Sequence, residues 1–268
     1  IQEAARALTG WSVENDQTVF TPANFDDGEK TIFGQTGRFT AGDVVRLALG
    51  QPACAMFLVR KLFAELISES VEVSDEMLQP LADGFRIRNY DVTWLMRTML
   101  LSWVFYSPAA IAQRIKSPVE FIVGTVKSLD GRISPAQAVE VCTKMGQSLL
   151  YPPSVKGWDG GDRWLNSTTL LLRQNLAFDL TSGTGPAKPF DPARIAHDAH
   201  VAGDRELATF FLQLFHQHVD ERAIDQIMQT LADEHGQATG IIGQAAHNAA
   251  LARTAAHLAL TMPEYQLG

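Results

Sequence analysis

The sequence predicts an all-α protein, an irregular multi-helix bundle with a short β-hairpin or extended insertion near residues 11–34. Three observations carry that prediction. Apolar residues recur at helical spacing through most of the chain. Helix-start signals repeat along it, with Ser-Pro at 117–118 and 134–135, Pro52, Ser74 and Asp91. A proline at the first helical position loses nothing, because that amide has no intrahelical partner. The stretch from Trp11 to Phe20 instead alternates with period two about the polar turn Glu14-Asn15-Asp16-Gln17.

Taken in order, Ala4, Ala5 and Leu8 line one face of a first helix, and Gly10 stops it. The hairpin or extended loop follows. Asp26-Asp27-Gly28-Glu29-Lys30 reads as a further turn ending near Gly34. Thr40 caps a helix through Leu49, and Pro52 opens one running to about Ile67. Ser74 starts a helix to about Arg86, and Asp91 one to about Phe105. Ser117-Pro118 opens a helix to Leu129, and Ser134-Pro135 one to Leu150. Residues 151–165 (YPPSVKGWDGGDRWL) form a long loop, and a helix runs from about Ser167 to Leu180. Beyond the polar stretch 181–191 lie helices near 192–202, 204–218, 220–234 and 240–261.

At 268 residues the chain suits one large domain or two small ones. Residues 181–191 (TSGTGPAKPFD) offer the best seam. They divide a main helical body, 1–180, from a C-terminal helical bundle, 192–268, expected to pack on the first as one unit. A net charge of −8 with no basic block argues against nucleic-acid binding. No apolar run reaches the roughly 18 residues of a membrane span. The opening residues IQEAARALTGW show no basic n-region or apolar h-region, so no signal peptide is read in them. Cys54 and Cys142 lie in apolar helical contexts without CxxC spacing, which suits buried small hydrophobes and leaves their pairing open.

Several segments taken together resemble one bacterial family, domain of unknown function 1800. They are EAARALTGW at 3–11, DDGEKTIFG at 26–34, QPACAMFLVRKL at 51–62 and KSPVEFIVG at 116–124. With them go GQSLLYPPSVKGWDGGDRWL at 146–165, LLLRQN at 170–175 and MPEYQ at 262–266. The resemblance implies a helical fold, a longer parent protein of which this chain is the C-terminal two thirds, and export to the periplasm or cell exterior. It also implies a partner of a sulfatase-like family encoded alongside. In one respect the chain departs from the pattern. Phe25 stands where relatives carry a histidine, while Asp26, Gly28 and Lys30 match.

Candidate chemistry gathers in two loops. In 151–165, Lys156, Trp158, Asp159, Asp162 and Trp164 are ligand or partner candidates. The plainer alternative has the two tryptophans pinning the loop to the core while its glycines turn the chain. Asp159 and Asp162 are weak calcium candidates, because they lack the alternating acidic pattern of an EF-hand loop. No other cofactor is implied. In the turn at 24–34, Asp26 and Lys30 are candidates for binding or acid–base work, set against a structural pair with Arg6. Lys116, Arg163 and Arg173 are candidate anion binders, and Arg173, beside Asn175, is set against a structural fork tying a loop to the core. His197 and His200 share a helix face, but zinc needs three or four convergent ligands. No G-x-S-x-G elbow, Walker loop or dinucleotide fingerprint is present.

The leading expectation is a non-catalytic exported protein that binds another protein or a surface polymer. The alternative is a hydrolase-like enzyme with a site between the 24–34 turn and the 151–165 loop.

Overall fold

In the computed structural model, which describes residues 1–69, 71–182, 191–201, 203–237 and 244–268, the chain is all-α apart from two small antiparallel hairpins. It divides into two compact units, Ile1–Ile67 with Val71–Phe105, and Tyr106–Gly268 with Ser68 and Glu69.

The first unit opens on helix α1 (Gln2–Ala7). Its buried residue is Ala7, while Leu8 is half exposed, so the face expected from Ala4, Ala5 and Leu8 is not the inward one. Strands β1 (Trp11–Glu14) and β2 (Gln17–Phe20) pair antiparallel, with Trp11 opposite Phe20. Asn15 and Asp16 both take positive φ, the mirror-image turn whose twist matches a two-residue hairpin. A second hairpin, β3 (Lys30–Ile32) with β4 (Gln35–Gly37), was not expected from the sequence. Its turn is also left-handed, through Phe33 and Gly34, but three-residue strands are too short to show an alternation.

Helices α2 (Ala41–Leu49), α3 (Pro52–Leu66), α4 (Asp75–Ile87) and α5 (Val92–Leu100) complete this unit. Val59, Leu78, Phe85, Leu95 and Met99 are among its fully covered side chains. Tyr90 stacks edge-on against Phe85 and donates its hydroxyl to the Leu49 carbonyl at 2.5 Å, fastening α2 to the α4–α5 corner. The fourth capped helix was expected to reach Phe105 and stops at Leu100. Past that point Leu101 and Trp103 face solvent, so their apolar surface gives no reason to continue the helix. The Ser102 hydroxyl also turns back to the Met99 carbonyl at 2.7 Å.

The second unit contains α6 (Pro118–Ser128), α7 (Pro135–Lys144), α8 (Ser167–Thr181), α9 (Pro192–Asp198), α10 (Asp204–Phe215), α11 (Glu221–Gln237) and α12 (Gln244–Thr261). Helix α12 is its axis. Leu251, Ala252, Ala255, Ala256, Ala259 and Leu260 are buried at helical spacing, and four of those six are alanines. Such small side chains let α8, α9, α10 and α11 all approach it. Rings of Phe121, Tyr265, Phe215 and Phe211 run through the same core, with centroids 5.5–6.1 Å apart.

Residues 183–190 of the expected seam, and 240–243 of the expected last helix, lie outside the described residues. Helices on both sides of that seam, α8 and α9, pack on α12 within the second unit, whereas the division between units falls at 105/106. The sixth helix was expected to reach Leu150 and ends at Lys144. Gly146 sits at φ +93, and the Gln147 amide reaches back to the Cys142 carbonyl at 2.8 Å, the glycine-terminated helix end. Cys54 and Cys142 are free, and they belong to different units.

Candidate functional site

Residue by residue, the structure sorts the candidates into three groups. The first joins Arg6, Asp26 and Lys30. Arg6 grips the Asp26 carboxylate with Nε at 2.8 Å from Oδ2 and Nη2 at 3.2 Å from Oδ1, and its Nη1 donates to Glu3. The Gly28 amide donates to Asp26 Oδ1 at 3.0 Å. The Lys30 side chain is fully buried; its Nζ donates to the Asp26 carbonyl at 2.5 Å and the Gly28 carbonyl at 2.9 Å. Phe25 offers its ring to that ammonium, 5.1 Å from the centroid. The Arg6 guanidinium, seconded by the Gly28 amide, holds the Asp26 carboxyl down at about 2. Asp26 is therefore an ionised, fully engaged carboxylate at neutral pH, unsuited to exchanging protons.

The second group joins Lys116 and Arg173 through the end of the chain. Arg173 is 1% exposed. It donates from Nη2 to the Lys116 carbonyl at 2.6 Å and from Nη1 to Gln266 Oε1 at 3.2 Å, with its guanidinium 4.8 Å from the Phe121 centroid. Its Nε is buried without a partner. Lys116 donates Nζ to the Tyr265 carbonyl at 2.8 Å and lies 3.7 Å over the Tyr265 ring. The Tyr265 hydroxyl shares a 2.8 Å hydrogen bond with Thr125. Asn175 is exposed on α8; the partners of the Arg173 fork are Gln266 and the Lys116 main chain.

Burial, together with the neighbouring Arg173, pushes Lys116 down to about 8, and burial pushes Tyr265 up to about 12. Between pH 8 and Lys116's ordinary 10.5 the unfolded chain holds a proton that the folded chain has released, so stability rises with pH. Above Tyr265's ordinary 10.0 the unfolded chain loses a proton that the folded chain keeps, so stability falls. From pH 8 to 10, urea midpoints of the wild type should therefore rise relative to those of Lys116→Met, which lacks the titrating ammonium. A Lys116→Met profile that superimposes on wild type would refute this assignment.

The third group is the 151–165 loop, on the second unit. Trp158, Asp159 and Trp164 line an open basin of about 400 Å³. Lys144 and Met145 at the end of α7, Arg163, and Asn166 and Thr168 at the start of α8 complete its wall. Trp164 is 8% exposed and forms the pillar of the loop, its carbonyl accepting the Thr169 hydroxyl at 3.0 Å. Trp158 is half-buried, and Asp159 and Arg163 are exposed. Lys156 and Asp162 are exposed outside the basin lining. Gly157, Gly160 and Gly161 all take positive φ, a backbone course that side-chain-bearing residues rarely follow. Below Gly160 and Gly161 lies the Glu69 carboxyl, 3.7–3.9 Å from where a Cβ would stand.

Sequence reasoning did not place Lys144, Asn166 or Thr168 in the basin. The signal was Gly146: a left-handed helix end folds the chain back and sets Lys144 beside the loop. A wider depression of about 590 Å³ is lined by His200, Arg205, Glu206 and Phe210. Its arginine is already paired with Glu221 and Asp225. His197 and His200 are exposed and do not converge, since α9 ends at Asp198 and His200 turns away at φ +59. His216 is engaged with the Ala259 carbonyl at 2.8 Å, and burial lowers its pKa. Among the described residues no three His, Cys, Asp or Glu side chains gather as a metal site. No single described helix is long and apolar enough to cross a membrane; α2 and α3 reach that length only as a pair bent by 82°.

No match was found among curated proteins or among solved structures. The family model described as "Protein of unknown function (DUF1800)" matches residues 1–267, essentially the whole chain, and the protein belongs to that family.

Proposed function

We propose that this protein is a non-catalytic binding protein whose tryptophan-floored basin receives another protein or a surface polymer. One observation carries the reading. Asp159 and Arg163 stand exposed at the rim of a preformed aromatic basin, uncommitted to other described side chains. By contrast, the charged groups at Asp26–Lys30 and Lys116–Arg173 are committed to holding the fold. The hydrolase reading draws less support, because the Asp26 and Lys30 it relies on are already engaged by Arg6 and by their own turn.

The family resemblance extends the proposal. It adds export from a bacterial cell to the periplasm or exterior, a sulfatase-like protein as the partner encoded alongside, and a longer parent of which this chain is the C-terminal two thirds. Cell fractionation of the host checks the first of these.

Hydrogen–deuterium exchange tests the binding reading. The chain is mixed separately with solubilised envelope polysaccharide and with envelope protein from its host. Slowed exchange in residues 151–169, abolished in Trp158→Ala, is the expected result. Unchanged exchange there with both fractions sinks the reading.

The proposal includes no metal. Calcium at about 1 mM, the concentration at which weak extracellular sites fill, is expected to leave the melting temperature unchanged. A rise that Asp159→Asn and Asp162→Asn together abolish would restore the calcium alternative.

A further inference from the structure

We infer that the basin takes one ring of a neutral, hydroxyl-rich carbohydrate chain, with the C–H face of the ring against Trp158 and its hydroxyls divided between Asp159 and Arg163. This inference rests on the binding reading above and narrows it to one ligand chemistry.

Four features point to that class. The first is shape. A basin of about 400 Å³ lies within the range for small-molecule sites, and it opens to solvent, so a ring within a longer chain can enter without threading. The second is the aromatic surface. Trp164 is buried and supports the loop, whereas Trp158 is half-buried and keeps surface available to a ligand. An indole offers a broad, rigid apolar plane, and the axial C–H groups of a sugar ring are an apolar face that covers such a plane.

The third is the balance of polar groups. Asp159 only accepts hydrogen bonds and Arg163 only donates them. A sugar hydroxyl does both, so adjacent hydroxyls satisfy the two residues together. An anionic ligand would meet Asp159 and the nearby Glu69, while a cationic one would meet Arg163 and Lys144. The start of α8 does not recruit an anion either. The Asn166 side-chain oxygen already accepts the Thr168 and Thr169 amides at 3.0 Å each, which occupies the donors a phosphate or carboxylate would need.

The fourth is preorganisation. The wall is held by the glycine-terminated end of α7, the Asn166 cap and the Thr169–Trp164 hydrogen bond. These contacts are made by the chain itself, which lowers the cost of ordering the wall on binding.

Affinity electrophoresis of the full chain tests this inference, in native gels containing dextran, laminarin, galactomannan or xylan, with polygalacturonate as the anionic comparison. Retardation is expected in at least one neutral gel. Trp158→Ala should weaken it about tenfold or more, and Arg163→Ala should weaken it as well. Unchanged circular dichroism and melting curves would show that both variants fold. Three results overturn the inference: no retardation in any neutral gel, wild-type retardation in both variants, or retardation by polygalacturonate alone. If envelope protein but not polysaccharide slows exchange at 151–169, the carbohydrate inference falls while the binding reading stands.

Discussion

Arg173→Ala is expected to destabilise the protein by about 3–5 kcal/mol in urea unfolding, the largest loss among the charged residues. Arg173 is fully buried on α8 and joins segments far apart in sequence. Its guanidinium reaches the Lys116 carbonyl before α6 and the Gln266 side chain after α12. Truncation leaves that carbonyl and that amide oxygen buried and unpaired, and opens a cavity against the Phe121 ring. The predicted contrast is Arg173→Met. No described carboxylate pairs with Arg173, so a volume-conserving apolar replacement leaves the same two oxygens unpaired but opens no cavity and strands no opposite charge. It also relieves Lys116 of a like-charged neighbour. Its loss should be about 1–2 kcal/mol, and Lys116 should titrate nearer its ordinary value. An Arg173→Ala loss below about 1 kcal/mol would show that the fork is not what ties α8 to the chain end.

Lys30→Ala should destabilise the first unit by about 3 kcal/mol. Its ammonium satisfies two main-chain carbonyls of one turn and lies 3.9 Å from the Asp26 carboxylate. Removal strands both carbonyl oxygens next to the hairpin β3–β4 and takes one of two cations from the Asp26 carboxylate. Here a volume-conserving substitution should help little, because Asp26 keeps its charge and loses one of its two cations. Lys30→Met is therefore expected to fall within about 1 kcal/mol of Lys30→Ala, unlike the wide gap at Arg173. Equal gaps at the two sites, measured by urea unfolding of all four variants, would contradict the distinction between a paired and an unpaired buried cation.

Much of the fold was legible because its signals are local. Thr40, Ser74, Asp91, Ser117 and Ser134 stand at helix starts, and Pro52, Pro118 and Pro135 at first helical positions. Asp91, Ser117 and Ser134 accept amides three residues on, and the prolines act through their own fixed φ, so sequence suffices to read such signals. The Asn15-Asp16 turn was legible for the same reason. Helix ends were less so. The helix from Asp91 was read five residues too far because Trp103, Val104 and Phe105 continue an apolar run. Whether an apolar residue extends a helix depends on whether a neighbour covers it, and none covers Trp103, which is 78% exposed.

The candidate groups show the same boundary between local and distant. Asp26, Gly28 and Lys30 lie within five residues, and the sequence alone could suggest that they form one turn. Arg6 joins them from 20 residues away, and Gln266 meets Arg173 from 93. Lys144 reaches the Trp158 basin because Gly146 reverses the chain. By itself the sequence determined the all-α class, the starts of the helices, the first hairpin turn and the family. Spacing and capping act along the chain, and those features depend on nothing else. Only tertiary packing decided which charges are spent on the fold and which remain available. Convergence and burial arise when distant segments meet, and they set whether a buried cation has a partner or an exposed carboxylate a vacancy beside it.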